Sequence, residues 1–139
     1  MEPFLKGKKI VVTGGTKGMG QAMVRRFTLS GASVATTARS PLPEGQAVAL
    51  FVQTDIGTAA GVQEVINRIQ QEWGALDILV NNVGGSDAPN GGYKALSDDD
   101  WQKALNVNLL ASVRLDRAFL PGMIERKSGV ILQDRKSVV

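Results

Sequence analysis

The sequence predicts an α/β fold, a doubly wound parallel sheet with helices on both faces, and three observations lead there. Apolar strand-like segments alternate with segments of helical spacing along the chain, the pattern left by crossover connections in a parallel sheet. Ile10, Val11 and Val12 form a β-branched run, as in a strand covered on both faces. Gly14, Gly15, Gly18 and Gly20 follow directly and lead into residues 21–27, whose apolar spacing is helical. Strand, glycine turn and helix together aim a helix N-terminus and free backbone N–H groups at a phosphate. The spacing is Thr-Gly-x-x-x-Gly-x-Gly over residues 13–20; a plain strand-to-helix connection would use glycine too.

Ser30 and Gly31 end the first helix, and residues 32–38 read as a second strand. Residues 39–45 form a loop by their prolines and glycine, and residues 48–53 a third strand that ends towards Asp55. From Thr58 to Trp73 the stripe Val62, Val65, Ile66 and Ile69 is helical, with Gly61 weakening it by roughly 1 kcal/mol relative to alanine. Gly74 stops that helix, and residues 76–82 give a fourth strand. A glycine-rich polar loop runs from Gly84 to Tyr93. Ser97 then caps a long helix, with Asp100 three residues on and Asp98 and Asp99 suited to the positive end of its dipole. Three adjacent helical aspartates do not converge on one point, so a metal site there is disfavoured. The helix runs through Trp101, Leu105, Leu109 and Val113 to about Leu120, where Pro121 and Gly122 are expected to kink or break it. Residues 129–132 begin a fifth strand.

With 139 residues, the chain holds one domain at most. A content of 43% apolar and 21% charged residues is that of an ordinary globular protein. The net charge of +3 is not gathered into a basic, aromatic-laced cluster, so nucleic-acid binding has little support. Cysteine and histidine are both absent, which removes disulfides, thiol chemistry and imidazole bases, and makes a zinc or iron site improbable. Neither a secretory leader nor a membrane-length apolar run is present, so the default expectation is a cytoplasmic protein without membrane partners.

These residues resemble the short-chain dehydrogenase/reductase family. Residues 13–20 look like its cofactor turn, Asp55 lies where the family sets an aspartate against the adenine, and Asn81-Asn82-Val83-Gly84 resembles its Asn-Asn-Ala-Gly motif. Asn106-Val107-Asn108-Leu109 resembles the segment bearing the family's catalytic asparagine, which maps to Asn108. The resemblance covers residues 5 to about 133 and implies a Rossmann-like sheet, truncated after its fifth strand. It implies that Gly14, Thr16, Lys17, Gly18, Met19 and Gly20 bind the pyrophosphate side of a dinucleotide. Asp55 and Ile56 would hold the adenine, and Asn82, Val83 and Gly84 would line the route to the nicotinamide. Each has a plainer reading beside it: Asp55 can begin a helix, and Asn82 and Gly84 are ordinary turn residues. Asn108 is a poor helix former inside a helix, which is harder to explain structurally.

Charge bears on the choice of cofactor. NAD-selecting folds set an acid about twenty residues past the glycines to hold the ribose 2′-hydroxyl. Residues 37–40 hold no acid; Arg39 follows the strand, and Lys17 sits in the glycine turn. Two cations suit a 2′-phosphate, so NADP(H) is expected over NAD(H), unless both are simply solvated surface charges.

Family members continue to a serine and a Tyr-x-x-x-Lys helix, which the resemblance assigns to substrate orientation and proton transfer. Tyr93 is the only tyrosine here and has no lysine four residues later. Ser137 lies near the expected serine, yet Asp134-Arg135-Lys136 is a poor continuation of a buried strand. Back-translated, residues 134–139 resemble a common sequencing-adapter string read in frame, so residues 1–133 are expected to be native and the remainder a non-native tail. As it stands the chain is not expected to turn over. An unpaired apolar strand at 130–132 is expected to make it marginally stable and prone to aggregate. The leading expectation is the cofactor-binding part of an oxidoreductase acting on a small carbonyl/alcohol substrate, whose full-length parent would form a homo-oligomer. The alternative is a non-catalytic dinucleotide-binding or interaction module.

Overall fold

Short segments, all but the second rich in Val, Ile or Leu, make up the sheet: β1 (Lys9–Thr13), β2 (Ser33–Ala38), β3 (Leu50–Gln53), β4 (Ile78–Asn81) and β5 (Val130–Gln133). In the computed structural model, which describes residues 3–134, they pair in parallel in the order β3-β2-β1-β4-β5. This is the Rossmann-like arrangement expected from the sequence. Strand side chains alternate between faces, and β1 shows it residue by residue. Val11 packs into one cluster with Val62, Val65, Ile69, Leu115 and Phe119, while Ile10 and Val12 pack into the other with Val24. The first cluster lies under α2 (Ala59–Trp73) and α4 (Ala111–Arg126), the second under α1 (Gly18–Leu29). No helix among the described residues is long and apolar enough to cross a membrane.

Helix α2 begins as its sequence suggests, with Thr58 Oγ1 accepting the Gly61 N–H at 3.0 Å. Gly61 is more than a weak helix residue. A Cβ there would overlap the Asp55 carbonyl oxygen, so glycine lets the helix start hard against the end of β3.

Helix α3 (Asp98–Leu105) opens on a capping box. Ser97 Oγ accepts the Asp100 N–H at 3.2 Å, and Asp100 Oδ2 accepts the Ser97 N–H at 2.9 Å. The Ser97 N–H first, and then the Ser97 hydroxyl, which donates to the same Oδ2 at 2.9 Å, hold the Asp100 carboxyl below its ordinary value. A depressed folded-state value stabilises the helix end above the ordinary aspartate range and is lost as pH falls through the lowered one. Acidification should therefore loosen the start of α3, and a D100N variant, which has no carboxylate to titrate, should lack that acid step. Amide exchange at residues 98–102 across pH 6 to about 3 reads the difference.

Between α3 and α4 the chain stays helical but widens into a π-turn over Asn106–Leu110. The expected break at Pro121 does not occur, and α4 continues to Arg126. Tertiary anchors beyond the proline outweigh the lost backbone bond, whose cost is about 3 kcal/mol. Phe119 and Met123 are buried on the face that carries Leu115, and Arg126 Nη2 donates to Leu76 O at 2.9 Å. The helix ends where Lys127 turns left-handed at φ 55° and Ser128 N–H donates to Met123 O at 3.0 Å. Trp101, Leu105, Leu109 and Val113, the apolar residues that mark this helix in the sequence, are exposed; its packed face is Ala111, Leu115, Phe119 and Met123.

Strand β5 is the sheet's edge among the described residues, with Val130 and Leu132 exposed. Asp134 extends its ladder by donating to Asn81 O at 2.9 Å. The rest of the expected tail, Arg135 to Val139 with Ser137, lies outside the described residues.

Candidate functional site

The glycine turn and the carboxyl ends of β1, β2 and β4 meet at one end of the sheet. Gly14 takes φ +66° and donates its N–H to Thr37 O at 3.0 Å, laying the turn beside the end of β2. Gly15 is buried and donates to Thr36 Oγ1 at 2.8 Å; that hydroxyl donates to Val12 O at 2.6 Å. The N–H groups of these first two glycines are thus spent on the fold. Helix α1 starts at Gly18, earlier than the apolar spacing suggests, which puts Gly18, Met19 and Gly20 in its first turn. First-turn N–H groups have no acceptor within a helix. Lys17 is the N-cap, no side chain caps it, and no acid lies in the first turn. A lysine at the positive end of a helix dipole is unfavourable by itself and compatible with an anion held there.

Gly20 sits where the turn meets β4. A Cβ there would overlap both the Gly14 carbonyl oxygen and Asn82 Nδ2, and Asn82 Nδ2 already donates to Gly14 O at 3.2 Å. Val83 closes the same junction, its Cγ2 standing 2.9 Å from where a Gly14 Cβ would be. Thr13 is the residue that sequence reasoning passed over. Its buried Oγ1 accepts both the Asn82 N–H at 2.9 Å and the Val83 N–H at 3.1 Å, tying the end of β1 to the segment after β4. Asn81 is buried too and donates to Asp116 Oδ1 at 2.9 Å, while Gln133 Nε2 donates to Asp116 Oδ2 at 2.8 Å. One α4 carboxylate thereby joins the ends of β4 and β5. Polar residues in otherwise apolar strands, as at Thr36 and Asn81, were the cue available in the sequence; Asp116 offered none.

Asn108 lies in the π-turn, a distortion that recurs at functional sites. Its side chain is well occupied. Nδ2 donates to Gly85 O at 2.7 Å and Ala104 O at 2.8 Å, and Oδ1 accepts the Gly85 N–H at 2.9 Å. A Cβ on Gly84 would stand 3.0 Å from that Oδ1. Asn108 and the segment 82–85 are therefore one unit, adjoining the glycine turn through Asn82.

The remaining sequence candidates lie around this centre. Arg39 is exposed directly after β2, and Lys17 is exposed at the start of α1. Asp55 is exposed after β3; its Oδ1 accepts the Gly57 N–H at 2.8 Å, a local turn, and α2 is capped by Thr58 instead. The Ile56 side chain is buried in the core. Thr16 is half-buried at the turn and Met19 is exposed. Tyr93 stands apart in a 3-10 turn, Tyr93–Ala95, and is 77% exposed. Thr37 Oγ1, Gln46 Oε1 and Asn81 Oδ1 are buried without a partner.

Comparison with known proteins agrees with the fold. The family model for short chain dehydrogenase matches residues 8–133. The NADP-dependent 3-hydroxy acid dehydrogenase YdfG of Escherichia coli K12 is 35% identical, over 88% of this chain and 52% of its own length. YvaG of Bacillus subtilis, an uncharacterized oxidoreductase, is 32% identical over 95% of this chain and 52% of its own. Among solved structures, L-sorbose reductase from Gluconobacter frateurii, complexed with NADPH and L-sorbose, superposes with a TM-score of 0.83 at 32% identity, covering 96% of this chain and 54% of that one. A metagenomic short-chain oxidoreductase in complex with NADP does so at 0.83 and 30% identity, covering 93% and 61%. The chain spans about half the length of the curated relatives it matches.

Proposed function

Because this chain belongs to the short-chain dehydrogenase family, we propose that residues 8–133 hold NADP(H) for an oxidoreductase acting on a small carbonyl/alcohol substrate. The observation that carries the reading is the start of α1: an uncapped helix N-terminus with no acid, led by Lys17 and packed against the end of β4 through Gly20 and Asn82. The residues present fit a dinucleotide. The N–H groups of Gly18, Met19 and Gly20 would take the pyrophosphate, and Lys17 and Arg39 the 2′-phosphate through charge-assisted hydrogen bonds. Asp55 and the Ile56 peptide would meet the adenine, and Asn82, Val83 and Gly84 would flank the nicotinamide. When bound, the nicotinamide supplies or accepts the hydride.

Asn108 is the catalytic residue of this proposal. Its amide anchors Gly85, so the floor of the nicotinamide route and the π-turn move together. The NADP dependence of YdfG and the NADP(H) complexes of the two structural relatives point the same way. The exposed stripe Trp101, Leu105, Leu109, Val113, Leu120 and Ile124 is suited to burial between subunits of a homo-oligomer formed by the full-length parent.

Fluorescence titration with NADPH and NADH tests the cofactor reading. NADPH should bind the tighter, and R39A should weaken it about tenfold, the effect of losing a hydrogen bond to a charged group, while leaving NADH unchanged. Equal affinity of the unaltered chain for the two cofactors would overturn the preference.

A further inference from the structure

Parallel neighbours are usually joined through a helix of a dozen residues or so. Between β2 and β3 the chain instead uses residues 39–49, which contain no helix. Their tightest feature is a turn in which Gln46 N–H donates to Pro43 O at 3.1 Å and Gly45 takes φ +82°. That turn carries the Gln46 side chain back to the phosphate turn, where Nε2 donates to Gly15 O at 2.7 Å. Gly15 is therefore held on both sides, at its N–H by Thr36 Oγ1 and at its carbonyl by Gln46.

We propose that Gln46 is a positioning residue for dinucleotide binding, a proposal that rests on the NADP(H) reading above. The Gly15 carbonyl belongs to the same planar peptide as the Thr16 N–H, and the two point in opposite directions. Pinning the carbonyl fixes where that N–H points, immediately ahead of Lys17 and the open end of α1. The bond is kept at a cost. Gln46 Oε1 is buried without a partner, and an unsatisfied buried acceptor is destabilising. A side chain retained only for packing would be apolar here, and methionine has nearly the same length and volume. Gln46 thus supports the turn from the segment that follows β2.

The test compares Q46M and the isosteric Q46E with the unaltered chain. Neither replacement can donate to Gly15 O. The probes are NADPH and 2′,5′-ADP, which carries the adenosine and its phosphates without the nicotinamide. Both variants should bind each probe about tenfold more weakly, and by the same factor for the two probes, while the urea midpoint of Q46M stays unchanged or rises. Unchanged affinity in either variant overturns the proposal. So does a loss confined to NADPH, or one matched by an equal fall in the Q46M urea midpoint, which would mark a purely structural role. If the unaltered chain binds neither probe, the dinucleotide reading itself fails, an outcome distinct from all of these.

Discussion

Replacing Gly20 by alanine is expected to weaken NADPH binding about 100-fold, because overpacking a closed junction costs roughly 1–3 kcal/mol and a tenfold change corresponds to about 1.4 kcal/mol. The added methyl has nowhere to go. It would overlap the Gly14 carbonyl oxygen, which accepts from Asn82 Nδ2 at 3.2 Å, and the Asn82 amide itself. Relief requires α1 to move away from β4 or Asn82 to abandon Gly14, and either shift opens the cradle between the helix N-terminus and the segment 82–85. Gly18 makes a useful contrast. A Cβ there meets nothing within 4 Å, so G18A suffers the strain of φ +57° without a collision. Titration of both variants with NADPH checks the point: G20A should be the more severely impaired, and equal effects would mean that the packing of Gly20 against Asn82 is unimportant.

Truncating Leu115 to alanine is expected to destabilise the fold by about 2–5 kcal/mol, the range for a large-to-small change that leaves a cavity in a packed core. Leu115 is fully buried, at the centre of the cluster that joins α4 to α2 and to Val11 and Leu79 of the sheet. Native domains hold only about 5–15 kcal/mol in total, so the loss is a large part of what keeps this one folded. The same substitution at Leu109, 52% exposed on the same continuous helical stretch, should stay within about 0.5 kcal/mol. Urea denaturation of the pair separates them. A comparable loss in L109A would show that the outer stripe is already buried against something, most simply a second copy of the chain.

Much of the site was legible because its chemistry is local. A glycine turn, an asparagine pair at the end of a strand and a cation after β2 are short motifs, and each lies on the element the sequence suggests. The partners of Thr13, Gln46 and Asp116 were not legible. Each acts on a partner distant in sequence: Thr13 on Asn82 and Val83, Gln46 on Gly15, Asp116 on Asn81. A hydroxyl or amide at the right spacing carries no mark of which backbone group it will meet.

Local sequence pattern by itself determined the elements of this protein, their alternation, the parallel sheet that alternation demands, and the glycine turn between β1 and α1. Such features depend on backbone preference and apolar spacing within a few residues. The tertiary structure alone decided which stripe of the long helix is buried, how far α4 runs past Pro121, and which glycines are compulsory. Leu115, Phe119 and Met123 face the sheet while Trp101, Leu105 and Leu109 do not, although both sets have helical spacing. Spacing specifies a face, but only the sheet beneath it specifies which face is worth burying, and that packing energy outweighs the few kcal/mol by which a proline or a glycine disfavours a helix.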